Sequence, residues 1–94
     1  MIDILEQKLK ISPETFANAV GDETVLLQIK RGVYFGLDPV GTQIWQGLEK
    51  GQSPRLICDG LAREFSMDIA EIEQDARKFL EDLKANEIII VEDS

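Results

Sequence analysis

Between Glu23 and Trp45 the chain reads ETVLLQIKRGVYFGLDPVGTQIW, and its apolar repeat changes there from two residues to about four within one short turn. Val25, Leu27 and Ile29 alternate with Leu26, Gln28 and Lys30, and after Arg31-Gly32 the alternation resumes at Val33, Phe35 and Leu37. This predicts a hairpin that turns at Arg31-Gly32 and carries those two apolar rows on its inner face. Asp38 offers a side-chain oxygen as a helix cap, and Pro39 suits the first helical position, where an N–H has no partner in any case. A helix over about Pro39 to Lys50 follows, with Val40, Ile44 and Leu48 as its apolar stripe and Trp45 widening it. The inner face of the hairpin and this helix must then close over one another.

The flanking sequence extends that corner in both directions. Thr15 to Val20 reads as an earlier strand, with Phe16 and Val20 on one face and Gly21-Asp22 as a tight turn into Glu23, so three antiparallel strands form a meander. Ser12-Pro13 breaks the chain before it. From Met1 to Ile11 the apolar residues show no clean period, which predicts a loose start and a short strand near Lys8 to Ser12. Downstream, Gly51 suits a left-handed helix end. Ser53-Pro54 repeats the cap and proline, and Ile57, Leu61 and Phe65 recur every four residues on a second helix whose polar face carries Arg55, Asp59, Arg63 and Glu64. Asp68 with Glu71 has capping-box spacing, and Ile69, Ile72, Ala76, Phe79, Leu80 and Leu83 mark a long third helix ending at Asn86. Ile88 to Val91 suits a short buried strand, followed by a solvated acidic tail at Glu92-Asp93. The expected fold is α+β and winged helix-turn-helix-like: a three-stranded meander followed by three helices, with a short C-terminal strand. Residues 1–94 are expected to form a single domain.

Composition then removes whole classes of function. Eighteen Asp and Glu against ten Lys and Arg give a formal charge of -8, which opposes nucleic-acid phosphates and anionic membrane surfaces. The third helix has only Arg77, Lys78 and Lys84 against a majority of acids, which speaks against a winged-helix DNA reader. With no histidine and a single cysteine, Cys58, the chain lacks the usual nucleophile–base pairing and any multi-cysteine zinc site. Cys58 stands next to core residue Ile57 and reads as a packing thiol, while Glu71 with Asp75 and Glu81 with Asp82 read as solvated charges. No catalytic residue, metal or cofactor is expected. The absence of a long apolar stretch leads to an expectation of a cytosolic protein with no membrane partner.

Two features stand above this background. Tyr34 has the opposite parity to Val33, Phe35 and Leu37, which points a large aromatic away from the inner face, where it would cover Leu26 across the hairpin. The strand Val33 to Leu37 also ends the meander and so lies at a sheet edge, where free N–H and C=O groups recruit other strands. Gly36 allows close approach, so an added peptide strand is a physically reasonable ligand. Two such edges can pair with one another, which makes a homodimer through the sheet edge a second expectation.

The run from Glu23 through Ile90 resembles the PqqD family, most specifically in Gly32-Val33-Tyr34-Phe35-Gly36-Leu37-Asp38 followed by Ile44-Trp45, and more weakly in Phe79-Leu80 with Leu83. It is similar to the small standalone members that accompany lasso-peptide biosynthesis. Asn86 departs from the pattern, where a glycine is common, and the Ile88 to Val91 run is apolar enough to take up part of the sheet edge itself. The resemblance implies a non-catalytic recognition element for ribosomally made, modified peptides. It would capture the leader of a precursor peptide as an extra strand along Val33, Tyr34, Phe35, Gly36 and Leu37, in the groove beside Ile72, Asp75, Ala76 and Phe79. Apolar slots around Tyr34 and Phe79 would choose the leader's anchor side chains, and the acids at Glu71, Glu73, Asp75, Glu81 and Asp82 would attract a lysine-bearing leader. The implied partners are a leader-cleaving cysteine protease and an ATP-dependent cyclase. The alternative within the family is a carrier of the precursor peptide for a radical enzyme in pyrroloquinoline quinone synthesis.

Overall fold

A computed structural model describes residues 2–92 of the chain. In order, it contains a 3-10 turn (Ile4–Glu6), β1 (Leu9–Ile11), β2 (Thr15–Val20), β3 (Glu23–Gln28), β4 (Val33–Leu37), α1 (Pro39–Glu49), α2 (Pro54–Glu64), α3 (Ile69–Ala85) and β5 (Ile89–Val91). β2, β3 and β4 form an antiparallel meander, and β1 pairs with β5 in a separate two-stranded sheet. This is the expected α+β arrangement of three strands followed by three helices.

The helix starts follow the side chains at their caps. Asp38 Oδ1 accepts from Gly41 N at 2.7 Å and Ser53 Oγ from Leu56 N at 3.2 Å, each with proline in the first turn. Asp68 caps α3 through Ala70 N at 3.1 Å, one residue earlier than the capping-box pairing with Glu71 requires. Gly51 ends α1 with φ of +78°, as anticipated. At the end of α3 the left-handed residue is Glu87, with φ of +60°, and not Asn86. Asn86 stays at φ -99° and instead donates its Nδ2 back to the Asp82 carbonyl at 2.9 Å.

The inner face of β3 is the reverse of the one expected. Four residues, 29–32, separate β3 from β4, and an even-numbered connection sets even positions of one strand opposite odd positions of the other. The ladder accordingly pairs Leu26 with Phe35 and Gln28 with Val33. Since α1 packs on the side of Val33, Phe35 and Leu37, it covers Thr24, Leu26 and Gln28, while Val25 and Ile29 stay 40% and 51% exposed. A connection of two residues would have imposed the same parity. Tyr34 does point away from the core, but it stands across from Leu27 and not from Leu26.

Gln28 is the polar residue this register buries, at 1% exposure. Its Nε2 donates to the Glu87 carbonyl at 3.0 Å and its Oε1 accepts from Arg31 N at 3.1 Å, so one amide joins the β3–β4 loop to the turn after α3. Arg31 reinforces that link through an exposed ion pair with Glu87 at 3.1 Å. The core gathers under β3 and β4, where Leu26, Leu37, Ile44, Trp45, Leu48, Leu80 and Leu83 are buried. β2 stands clear of it, with Phe16 and Val20 exposed.

The start of the chain is not loose. Ile4 and Leu5 are buried at 4% and 1%, against α2 and α3. Arg77 grips the Asp3 carboxylate in a fork, from Nε at 3.0 Å and from Nη2 at 2.7 Å, and Arg55 joins Glu6 to Glu73, the latter at 2.6 Å. β1 and β5 then pair Leu9 with Val91 and Ile11 with Ile89. The Ile88 to Val91 run therefore binds the first strand of the chain and leaves the edge of β4 uncovered. Glu92 pairs with Lys8 at 3.1 Å, while Asp93 of the anticipated tail lies outside the described residues.

Two outcomes follow from these links. Gln28→Leu keeps the volume but strands the Glu87 carbonyl and the Arg31 N–H, and should lower unfolding free energy by about 1–3 kcal/mol, read as a lower denaturant midpoint at unchanged slope. Hydrogen bonding from Arg77, then from Leu5 N–H, lowers the Asp3 pKa from 3.8 to about 2. Its stabilisation is thus complete above pH 3.8 and fades as pH falls towards 2, so the melting-temperature gap between wild type and Asp3→Asn should be constant at neutral pH and close over that acid window.

Candidate functional site

The edge of β4 is the first component of the site. Among the described residues, β4 pairs only with β3, so its other side presents unpaired backbone groups. The segment Val33–Leu37 holds no charge and no proline, the usual devices that blunt an edge. A Cβ placed on Gly36 would meet nothing within 4 Å, which leaves the backbone open to close approach.

The second component is an apolar cleft beside the end of that strand. Asp38, Val40, Gly41, Ile44, Met67, Ile72, Asp75 and Phe79 line a cavity of about 250 Å³ between the start of α1 and the middle of α3. Its apolar walls sit between two carboxylates, Asp38 at one rim and exposed Asp75 at the other. Gly41 sets how closely the walls meet: a Cβ there would lie 3.5 Å from Leu37 Cβ, 3.8 Å from Phe79 Cε1 and 3.2 Å from the capping oxygen of Asp38. β2 offers an edge as well, but it stands away from this cleft.

The structure unites only part of the expected residue set. Ile72, Asp75 and Phe79 line the cleft together. Ala76 does not, because at 1% exposure it is a core residue under α3. Val33 and Phe35 are half-buried on the helix side of the sheet and Leu37 is buried, whereas Tyr34 is 71% exposed on the opposite side. Tyr34 and Phe79 therefore cannot share one slot, and Phe35 is the β4 aromatic on the same side as the cleft. Sequence reasoning missed Val40, Gly41, Ile44 and Met67. The first three lie in the first two turns of α1, where Val40 and Ile44 read as its core stripe and Gly41 as a close-approach position, and Met67 follows Ser66, a non-glycine residue at φ +51° whose sequence gives no sign of that conformation.

Burial, with a smaller contribution from the Glu73 carboxylate, pushes the Cys58 thiol up to about 11, far from a nucleophile's range. Among the described residues, no group of His, Cys, Asp and Glu has the arrangement of a metal site, and no helix is long and apolar enough to cross a membrane.

Comparison with known proteins matches this geometry. A family model described as coenzyme PQQ synthesis protein D (PqqD) matches residues 23–89. The solved structure of TbiB1 in complex with the TbiA(beta) leader peptide superposes with a TM-score of 0.83 at 40% identity, over 90% of this chain and 99% of that one. A lasso peptide synthetase B1 complexed with its leader peptide superposes with a TM-score of 0.79 at 25% identity, over 88% of this chain and 98% of that one. Among curated proteins, no sequence matches. With the family model spanning β3, β4, all three helices and the first residue of β5, the chain belongs to the PqqD family.

Proposed function

We propose that the protein is a non-catalytic recognition element that binds the leader segment of a ribosomally made precursor peptide and presents it to the enzymes of a lasso-peptide pathway. The observation that carries this reading is the uncharged, unpaired edge of β4 lying next to an apolar cleft with acidic rims. An antiparallel strand added to Val33–Leu37 gains main-chain hydrogen bonds that demand little of its sequence. Alternate side chains of that strand then fall on the helix side of the sheet, where Val40, Ile44, Met67, Ile72 and Phe79 offer an apolar seat. Asp38 and Asp75 favour a basic residue beside the anchor, and the acids of α3 speed encounter with a lysine-bearing leader.

The likeness to TbiB1, solved with a leader peptide at 40% identity, supports the leader as ligand. Likeness to a lasso peptide synthetase B1 supports the lasso pathway over the quinone-cofactor pathway that gives the family its description. The downstream partners in this reading are a leader-cleaving cysteine protease and an ATP-dependent cyclase. The added strand lies in the plane of the sheet beside β4, with its cleft-side residues next to Phe35 and the cleft, and leaves the outer face around Tyr34 open.

The test is an amide-shift titration of labelled protein with the leader peptide encoded by a neighbouring gene. Shifts should concentrate on Val33–Leu37 and on the Ile72, Asp75 and Phe79 face, with a dissociation constant of micromolar or tighter. Phe79→Ala should weaken binding at least about tenfold, about 1.4 kcal/mol, and Asp75→Lys should flatten the salt dependence. Shifts centred on β2, or full affinity in a folded Phe79→Ala protein, would refute the groove.

A further inference from the structure

The side of the sheet turned away from the helices carries large apolar side chains on all three strands, with Asn18 and Glu23 as its polar members. The register aligns Phe16, Leu27 and Tyr34 in one cross-strand row, and Asn18, Val25 and Gly36 in the next. Phe16, Val25 and Tyr34 are exposed at 59%, 40% and 71%, and Ile29 on the same side at 51%. Monomeric surfaces seldom leave large side chains grouped in this way.

Charge and shape both select an occupant. The turn at one end of β3 carries exposed Asp22 and Glu23, and the loop at its other end carries exposed Lys30 and Arg31. A second copy stacked face to face with its β3 antiparallel sets the acidic turn of each copy over the basic loop of the other, twice by symmetry. A parallel stacking would oppose like charges. In the antiparallel arrangement, a two-fold axis passing across the strands near Leu26 lays the bulky row of one copy over the small row of its partner. Phe16 then sits over Asn18, Leu27 over Val25, and Tyr34 over Gly36, which has open space where its Cβ would be.

We infer that two copies of this chain associate through the outer faces of their β2–β3–β4 sheets, with β3 antiparallel to β3. The face spans about 15 Å by about 20 Å from strand spacing and rise, about 300 Å² on each copy, below the size of a stable interface and in the range of weak, transient ones. The dimer is therefore weak and concentration-dependent. It leaves the free edge of β4 unpaired, so it differs from a dimer joined edge to edge.

Sedimentation velocity on the full chain tests this. The wild type should pass from monomer to dimer as its concentration rises from about 10 μM to about 1 mM. Phe16→Ser, at an exposed site, should raise the dimer dissociation constant at least about tenfold with unchanged circular dichroism. Lys30→Glu should weaken the dimer and Asp22→Lys added to it should restore it. A chain monomeric throughout leaves the face to another protein and overturns the inference. So does a dimer indifferent to Phe16→Ser, a charge swap without rescue, or a dimer that dissolves as a leader peptide occupies β4.

Discussion

The corner at Leu37–Gly41 is the constraint on which the rest of the structure depends. Asp38 closes the strand and caps the helix with one side chain, its Oδ1 taking Gly41 N at 2.7 Å. That bond fixes the direction in which α1 leaves β4, and so which side of the sheet becomes the core. Gly41 adds a steric condition, since a Cβ there would lie 3.2 Å from the capping oxygen, with Phe79 at ordinary contact distance. Edge, cap and cleft are consequently one local geometry.

Much of the fold was legible because the local signals agree with one another. Cap-plus-proline pairs located two helix starts, and four-residue spacing located the faces of α2 and α3 apart from Phe65 and Ile69, which stay exposed where the two helices meet the connecting loop. The reversal at β3 arose from weighing residue type over pairing arithmetic: Val25, Leu27 and Ile29 look more buried than Thr24, Leu26 and Gln28, yet an even-numbered connection forbids them from sharing a face with Phe35. Gln28 is buried because one local partner, Arg31 N, and one distant partner, the Glu87 carbonyl, satisfy its amide, and neither Glu87 nor the conformation of Glu87 can be read from the neighbours of Gln28 in sequence. The same holds at the start of the chain. Ile4 and Leu5 lack a period because one 3-10 turn is too short to show one, and their burial depends on Arg55 and Arg77 arriving from α2 and α3.

The candidate site was legible in its backbone and less so in its side chains. An uncharged terminal strand of a meander with Gly36 in it already describes an edge that accepts another strand. Placing residues around the cleft needs the angle between α1 and α3, which no periodicity reports. Ala76 illustrates this: it shares the helix face of Ile72 and Phe79 in sequence, but lies one layer deeper. Of the two aromatics expected to line anchor slots, Phe79 lines the cleft, while the pleat turns Tyr34 to the other side of the sheet.

The pairing of β1 with β5 has a kinetic consequence. It brings β1 against β5, so its closing loop contains β2, β3, β4 and all three helices. Loop-closure entropy is met before such distant contacts stabilise anything, and long-range pairing is slow. The meander and the hairpin-to-helix corner, whose contacts are local, are set to form first. The clasp of β1 on β5, with Ile88 and Ile89 seated behind it, completes afterwards and holds the end of α3 in place. The far wall of the cleft thus belongs to the last-locking part of the molecule, and local opening of the clasp is the motion by which that wall would loosen without melting the strand edge.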